Sequence, residues 1–494
     1  MLSEYLPSGE APAKAALPSR VRHEDWRICG ERLGAPERLE VLFPYTGETV
    51  GSVPLAQPDD ARQALQRAHA FRPGLSRYER HLILGRAREL LLARSTAFAS
   101  SIVAESGLCI RDARHEVLRA ADVLASAAAQ VLVDDGKVFS CDIGPHGRKR
   151  KVYTQRDPLL GVIVAITPFN HPLNQVVHKV APSVASNNRM VLKPSEKTPL
   201  TALMFADLLY EAGLPGPMLT VITGKPETIG EVLVGAPEVD VVSFTGGVAA
   251  GKAVARAAVY KRQILELGGN DPIIVMEDAD LAEAVELAVA GAYRNSGQRC
   301  TAVKRILVHE KISGAFVEAL VEATSALRAG DPFDEASDLG TVIDTAAAQG
   351  IERRVEAAIA AGARLLCGHR REGALYTPTV LDHVRPEMDV VRMETFGPVA
   401  PVIRFGSIDE AIRLSNATEF GLSSSICTNR WDYIQKFIAE LEVGSVNIRE
   451  VPGYRLESTP FGGIKDSGLG FKEGVIEAMH SFSNIKTYSL PWEG

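Results

Sequence analysis

The sequence predicts an α/β protein built on parallel strands, and three observations carry that prediction. Short runs rich in Val and Ile alternate with helix-spaced segments from Val162 to Val275. The alternation resumes after Asp280. The longest apolar pieces, such as LLGVIVAIT, are strand-sized. Parallel strands need crossover connections, and intervening helices supply them.

The elements follow in order. From Pro58 to Val133, Ala and Leu recur at three- and four-residue spacing with Arg and Glu on the other faces, which predicts helices. GKVFSCDIGPHGRKRKVYTQRDPLLGVIVAI then turns rich in Val and Ile, broken by Gly and Pro, and reads as strands. The run Arg148-Lys149-Arg150-Lys151 reads as a solvated strand edge rather than a nucleic-acid patch or localisation signal. Beyond it, GVIVAIT, RMVLKP, LTVITG, VDVVSFTG, QILELGG and DPIIVME are strand candidates, with helical pieces between them. A boundary is expected near Val275–Asp280. A second α/β segment follows, with AEAVELAVAGAYRNSG, AVKRILVHE and GAFVEALVEATSALRAG. No repeat, low-complexity tract or long linker interrupts it.

Composition excludes several classes. The 494 residues suggest two to four domains at about 150 residues each. A hydrophobic fraction of 46% and a charged fraction of 23% exclude a disordered chain, a collagen and a disulfide scaffold. The net charge of −7 gives no electrostatic reason to bind nucleic acid. The six cysteines are scattered with no C-x-x-C, so free thiols in a reducing cytoplasm are expected, and no metal site. The N-terminal MLSEYLPSGEAPAK lacks a basic region followed by an apolar run, so no signal peptide is read there. With no membrane-length run, a cytoplasmic protein without a membrane partner is expected.

Gly246-Gly247-Val248-Ala249-Ala250-Gly251-Lys252 matches the phosphate loop of nucleoside triphosphatases, but Ala253 stands where that loop needs Ser or Thr for Mg²⁺. What remains is a Gly-rich strand-to-helix turn whose amides favour an anion such as a pyrophosphate. The competing reading is a glycine turn for packing alone.

Cys300 follows an amphipathic helix, in Asn295-Ser296-Gly297-Gln298-Arg299-Cys300-Thr301-Ala302. Polar neighbours argue for access, and Arg299 is placed to favour the thiolate. A buried small apolar role is the competing reading. Glu266, in Leu265-Glu266-Leu267-Gly268-Gly269-Asn270, is a carboxylate among apolar residues at a strand end. That setting suits a base of raised pKa, with a cap or ion pair as the alternative.

The sequence resembles the aldehyde dehydrogenase superfamily over nearly all of its length. The motifs that carry the resemblance appear in order: Thr167-Pro168-Phe169-Asn170, Lys193-Pro194-Ser195-Glu196, Phe244-Thr245-Gly246-Gly247, Glu266-Leu267-Gly268-Gly269, Gly297-Gln298-Arg299-Cys300, Glu394-Thr395-Phe396-Gly397-Pro398 and Pro460-Phe461-Gly462-Gly463. The resemblance implies that Cys300 attacks the aldehyde to give a thiohemiacetal, that hydride leaves to NAD, and that Glu266 activates water to hydrolyse the thioester. Asn170 and the Cys300 amide would form the oxyanion hole, each donor worth about 3 kcal/mol. Cofactor contacts are implied for Ile166, Thr167, Pro168, Phe169 and Asn170, for Lys193, Ser195, Glu196 and Gly230, for Phe244 to Gly247, for Glu266, Leu267 and Gly268, and for Cys300, Glu394 and Phe396. Lys193 and Glu196 would hold the adenosine ribose. The Glu196 charge would repel a 2′-phosphate, hence NAD over NADP. Glu394 would hold the nicotinamide ribose.

Departures from the family pattern point to the substrate. Gly247 stands where many members carry Ser, and Asn187-Asn188-Arg189 replaces a Gly-Asn turn. His171 stands where the family has an apolar or aromatic residue. With Arg119, Arg299, Thr301 and Arg455, it is expected at the substrate. Arginine forks match phosphonate, phosphate or carboxylate oxygens. Bridging to Glu116, Glu450 and Glu457 is the competing assignment. Asn-His-Pro, Gln-Arg-Cys and Gly453-Tyr454-Arg455-Leu456-Glu457-Ser458 together look most like the phosphonoacetaldehyde dehydrogenase subfamily. Non-phosphorylating glyceraldehyde-3-phosphate, lactaldehyde and succinate semialdehyde dehydrogenases are the alternatives. An inactive structural member of the fold is the alternative from another class, and intact Cys300, Glu266 and Asn170 argue against it.

The resemblance further implies three units: a Rossmann-type cofactor domain from 1–140 and 160–275, an α/β catalytic domain from 276–466, and a small β oligomerisation sheet from 141–159 and 467–494. The alternating tail from Ser483 to Leu490 reads as an edge strand, so a homodimer or dimer of dimers is expected.

Overall fold

The computed structural model describes residues 16, 20–133, 136–470 and 473–492. The whole stretch read as lacking a signal peptide (1–14), and residues 471–472 and 493–494 of the tail, lie outside the described residues.

The Ala- and Leu-rich stretch forms four helices, Pro58–Ala70, Arg77–Ala93, Ser95–Ser106 and Ile110–Gln130. Their ends follow capping chemistry. The Glu79 amide donates to the Ser76 hydroxyl while the Ser76 amide donates to the Glu79 carboxylate. Gly107 closes the third helix at φ +72°.

The first large sheet runs in the order Arg262–Glu266, Val239–Thr245, Val162–Ile166, Met190–Lys193, Leu219–Val221, Trp26–Ile28, Glu31–Leu33. The first five strands are parallel. The last two are antiparallel additions. The chain moves outward from Val162–Ile166 on one side, then returns to Val239–Thr245 on the other. A topological switch point therefore lies between these two strands. Alternate residues serve opposite cores. Val162 and Val164 pack with Trp26, Leu65 and Val242, while Ile163 and Ala165 join Leu124, Val180 and Met190. Burial on both faces is why these strands read as unbroken apolar runs.

From sequence, the segment up to Val275 groups with this first sheet. The ladder places Asp271–Val275 elsewhere. It pairs in parallel with Val303–His309 and Ser423–Cys427 inside a second seven-stranded sheet. The chain therefore changes sheets in the turn after Glu266, not near Val275.

A three-stranded antiparallel sheet joins Val138–Ser140, Arg150–Pro158 and Ser483–Pro491. Arg150–Pro158 is its middle strand, so Arg150 and Lys151 do not guard an edge. Arg150 donates to the Ser489 carbonyl at 3.2 Å, and the Lys151 ammonium lies 3.9 Å from the Trp492 ring centre. The helix Val475–Ser481 does not join this sheet. It buries Val475 and Ala478 against the first core. Among the described residues no helix is long and apolar enough to cross a membrane.

Candidate active site

Ile166, Lys193, Thr245 and Glu266 are each the last residue of neighbouring parallel strands. Their shared end is where the switch point opens a crevice. Thr167 to Asn170 continue from one strand end. Gly246 and Gly247 continue from another, and Gly247 caps the helix Val248–Ala258. Helix amides without a side chain over them suit a pyrophosphate.

A cavity of about 790 Å³ fills the crevice. Every residue expected to hold the cofactor lies on its wall: Ile166 to Asn170, Lys193, Ser195, Glu196, Gly230, Phe244 to Gly247, Glu266 to Gly268, Cys300, Glu394 and Phe396. The wall also holds Gln175, Glu227, Glu231, Val234, Arg256 and Ala257, which sequence reading missed. Five of these lie on the helices Pro226–Gly235 and Val248–Ala258, and their spacing after the two turns is the only signal they offer. Burial pushes the Lys193 ammonium down, opposed by Glu196 with its oxygen 3.7 Å away. Glu394 lies so close to the Gly268 Cα that a Cβ there would stand 2.2 Å from Oε2. Apolar walls, a bare helix N-terminus and a carboxylate at each end fit a dinucleotide.

The loop leading into Cys300 is sharply bent. Asn295, Ser296 and Gly297 take φ of +54°, +52° and +71° in succession. A Cβ on Gly297 would meet the Gly397 carbonyl at 2.2 Å, so glycine is required. The Gln298 carbonyl at the end of this bend accepts from Asn170 Nδ2 at 2.8 Å, which fixes the amide and leaves its second proton available. Glu266 is 4% exposed. Burial pushes the Cys300 thiol up to about 11, with Lys304 the largest opposing charge. Burial outweighs the cations near the thiol, among which Lys304 leads; Arg299, expected to favour the thiolate, is not among its leading charges.

None of the five residues expected at the substrate lines the large cavity. Arg299 and Thr301 flank Cys300 in the chain, and Arg455 acts on its thiol electrostatically. Arg299 is engaged through one nitrogen, while its Nε is buried with no hydrogen-bond partner among the described residues. Its Nη2 donates to the Ala290 and Gly291 carbonyls at 3.0 and 2.6 Å, closing the helix Leu281–Tyr293. Arg119 bridges a carboxylate, as its competing assignment had it: Nε donates to Glu457 at 2.6 Å. His171 sits 3.4 Å from Glu116 and 3.2 Å from Asn295 Nδ2. Thr301 is buried against Gly453. Arg455 stacks 4.0 Å over the Phe461 ring, and its Nη1 is buried with no hydrogen-bond partner among the described residues. Burial, then repulsion from Arg119, pushes the Arg455 guanidinium down.

Comparison with known proteins agrees with this geometry. A model described as the aldehyde dehydrogenase family matches residues 33–488. A curated 3-sulfolactaldehyde dehydrogenase from Priestia aryabhattai is 38% identical over 473 residues, covering 96% of this chain and 99% of the relative. A sulfoacetaldehyde dehydrogenase from Neptuniibacter caesariensis is 35% identical, covering 90% and 98%. The crystal structure of an NAD-dependent aldehyde dehydrogenase from Sinorhizobium meliloti superposes with a TM-score of 0.91 at 35% identity, covering 98% of this chain and 97% of the other.

Proposed function

The chain belongs to the aldehyde dehydrogenase family, and from that premise we propose that it oxidises a small aldehyde with an anionic tail, phosphonoacetaldehyde foremost, to the carboxylic acid. The observation that carries the tail is Arg455. A guanidinium with a buried, unpartnered Nη1 is costly unless an anion completes it. Arg119 stands near enough to repel it, and a doubly charged phosphonate would relieve both cations. Sulfonated aldehydes are the second reading, favoured by the names of the two curated relatives.

The chemistry follows from the wall. The Cys300 sulfur attacks the aldehyde carbon once its proton is removed, and Glu266 is the buried carboxylate on the same wall to receive it. The developing oxyanion takes the free proton of Asn170 Nδ2 and the Cys300 amide. Lys193, Glu196 and Glu394 would hold a nicotinamide dinucleotide, whose ring would accept the hydride. Once Glu266 has passed the thiol proton on to solvent, it deprotonates the water that hydrolyses the Cys300 thioester, releasing the acid and the Cys300 sulfur.

Dimerisation is part of the same proposal. Among the described residues Ser483–Pro491 has a ladder partner on one side only, and Ile485 and Leu490 are 61% and 47% exposed on it. A second copy would cover that edge.

The test is NADH formation with phosphonoacetaldehyde, sulfoacetaldehyde, glyceraldehyde-3-phosphate, succinate semialdehyde and propanal. The highest kcat/KM is expected with the phosphonate. Preference for propanal would refute the anionic reading.

A further inference from the structure

We propose that Lys304 is a positioning residue that aims the oxyanion-donating amide of Cys300 and ties it to the cofactor-side carboxylate Glu394. Lys304 lies in the strand Val303–His309 and is 2% exposed. Its ammonium donates to the Arg299 carbonyl at 2.7 Å, the Cys300 carbonyl at 2.8 Å and the Gly269 carbonyl at 2.9 Å. Glu394 Oε1 stands 3.0 Å away. One cation thus joins the nucleophile loop, the turn after Glu266 and the carboxylate beside Gly268.

The Arg299 contact matters most. Arg299 C=O and Cys300 N–H belong to one peptide plane, and in a trans peptide they point in opposite directions. An ammonium holding the carbonyl on one side aims the N–H to the other side and polarises it. That N–H is the backbone half of the oxyanion hole. Glu394 is fixed by the same ammonium. Its Oε1 also accepts the Gly269 amide at 3.2 Å, which leaves Oε2 to face a ribose hydroxyl. A neutral side chain at 304 would loosen both ends.

The same charge acts on the sulfur. Lys304 is the cation that most opposes the rise of the Cys300 thiol. The other groups facing that thiol are Asp271 and Glu394, which raise it, and Arg455, which lowers it. Arg299 lies next to it in the chain, and Glu266 shares its cavity wall. Burial pushes the Asp271 carboxyl up, to about 8, whereas Glu394 makes the direct ion pair with Lys304 at 3.0 Å.

The inference rests on Cys300 being the nucleophile. The test compares Lys304→Met, Lys304→Gln and Lys304→Arg in the full-length enzyme. Iodoacetamide alkylation of Cys300 is followed against pH by mass spectrometry, alongside the NADH burst and the KM for NAD. In the neutral variants the alkylation profile should move to higher pH. The burst should slow at least tenfold, and the KM for NAD should rise several-fold. Lys304→Arg should restore a large part of the profile. An unchanged profile and burst in a folded neutral variant would overturn the proposal. So would failure of both neutral variants to fold while Lys304→Arg is fully active, since the lysine would then serve folding alone. Cys300→Ala that still makes NADH would instead remove the reading beneath it.

Discussion

Arg119 Nε donates to Glu457 Oε1 at 2.6 Å, and Glu457 Oε2 accepts from His178 Nε2 at 2.6 Å. Burial alone would raise the Glu457 carboxyl. The hydrogen bond from His178 and the nearby charges of Arg119 and Arg455 outweigh it and hold the carboxyl well below the usual range. Glu457 therefore stays ionised, while burial pushes the His178 imidazole down against the pull of Glu457. Glu457→Leu leaves Arg119 and His178 without their acceptor. Breaking such a pair costs about 3 kcal/mol, which predicts a melting temperature lower by several degrees. A carboxyl held below its free value stabilises fully above that value, 4.5, and the contribution is lost as pH falls further. The gap between wild type and Glu457→Leu should thus be constant from neutral pH to about 5 and narrow in stronger acid. Melting curves across that range check it, and a gap that widens in acid would contradict the assignment.

The three arginines should separate by substrate. Arg455→Leu removes the unpartnered cation, so kcat/KM for phosphonoacetaldehyde should fall roughly 10- to 150-fold, with little loss for propanal. Arg119→Leu should show the same selectivity with a smaller loss, because Glu457 already engages its Nε. Arg299→Leu should cost both substrates alike, since its Nη2 closes a helix. Equal losses for Arg455→Leu on both aldehydes would remove the basis for an anionic tail.

Much of the crevice was legible because each strand end coincides with a motif. Ile166, Lys193, Thr245 and Glu266 each close a Val- or Ile-rich run just where Gly, Pro or a charge begins. The change of sheet after Glu266 was not legible. Asp271–Val275 has the same apolar character in either sheet, and only its ladder partners tell them apart. Arg299 misled for a related reason: a long side chain before a nucleophile reads alike whether it turns toward the pocket or back to the helix. Lys304 was invisible because a lysine in a strand reads as exposed. Its burial depends on three carbonyls from segments that meet only in the folded chain.

Cofactor choice is testable at Glu196. Its carboxylate lies 3.7 Å from the Lys193 ammonium at the crevice rim. A 2′-phosphate placed there meets that carboxylate, with one buried lysine to offset it. NAD should be preferred over NADP, and Glu196→Gln should narrow the ratio by about tenfold, or 1.4 kcal/mol. Comparing kcat/KM for the two cofactors decides it. A ratio unmoved by the substitution would place the discrimination elsewhere, with Arg256, Glu227 and Glu231 the charged wall groups on the helices Pro226–Gly235 and Val248–Ala258.

Cys300 and Glu266 share a wall but should fail differently when altered. Without the sulfur no thiohemiacetal forms, so Cys300→Ala should make no NADH. Glu266→Gln keeps the nucleophile and the oxyanion donors but cannot deprotonate water. It should release about one equivalent of NADH per active site and then turn over slowly. The burst should itself be pH-dependent. With burial holding the thiol up to about 11, the thiolate fraction of the free enzyme grows with each unit of pH through the neutral range. Supplying the base from solution should therefore quicken the burst of Glu266→Gln as pH rises from 7 to about 9, more steeply than in wild type, where Glu266 provides it internally. Stopped-flow absorbance at several pH values measures both slopes. Parallel slopes would mean that Glu266 does not take the thiol proton, and a wild-type steady state in Glu266→Gln would mean that it does not activate the water either.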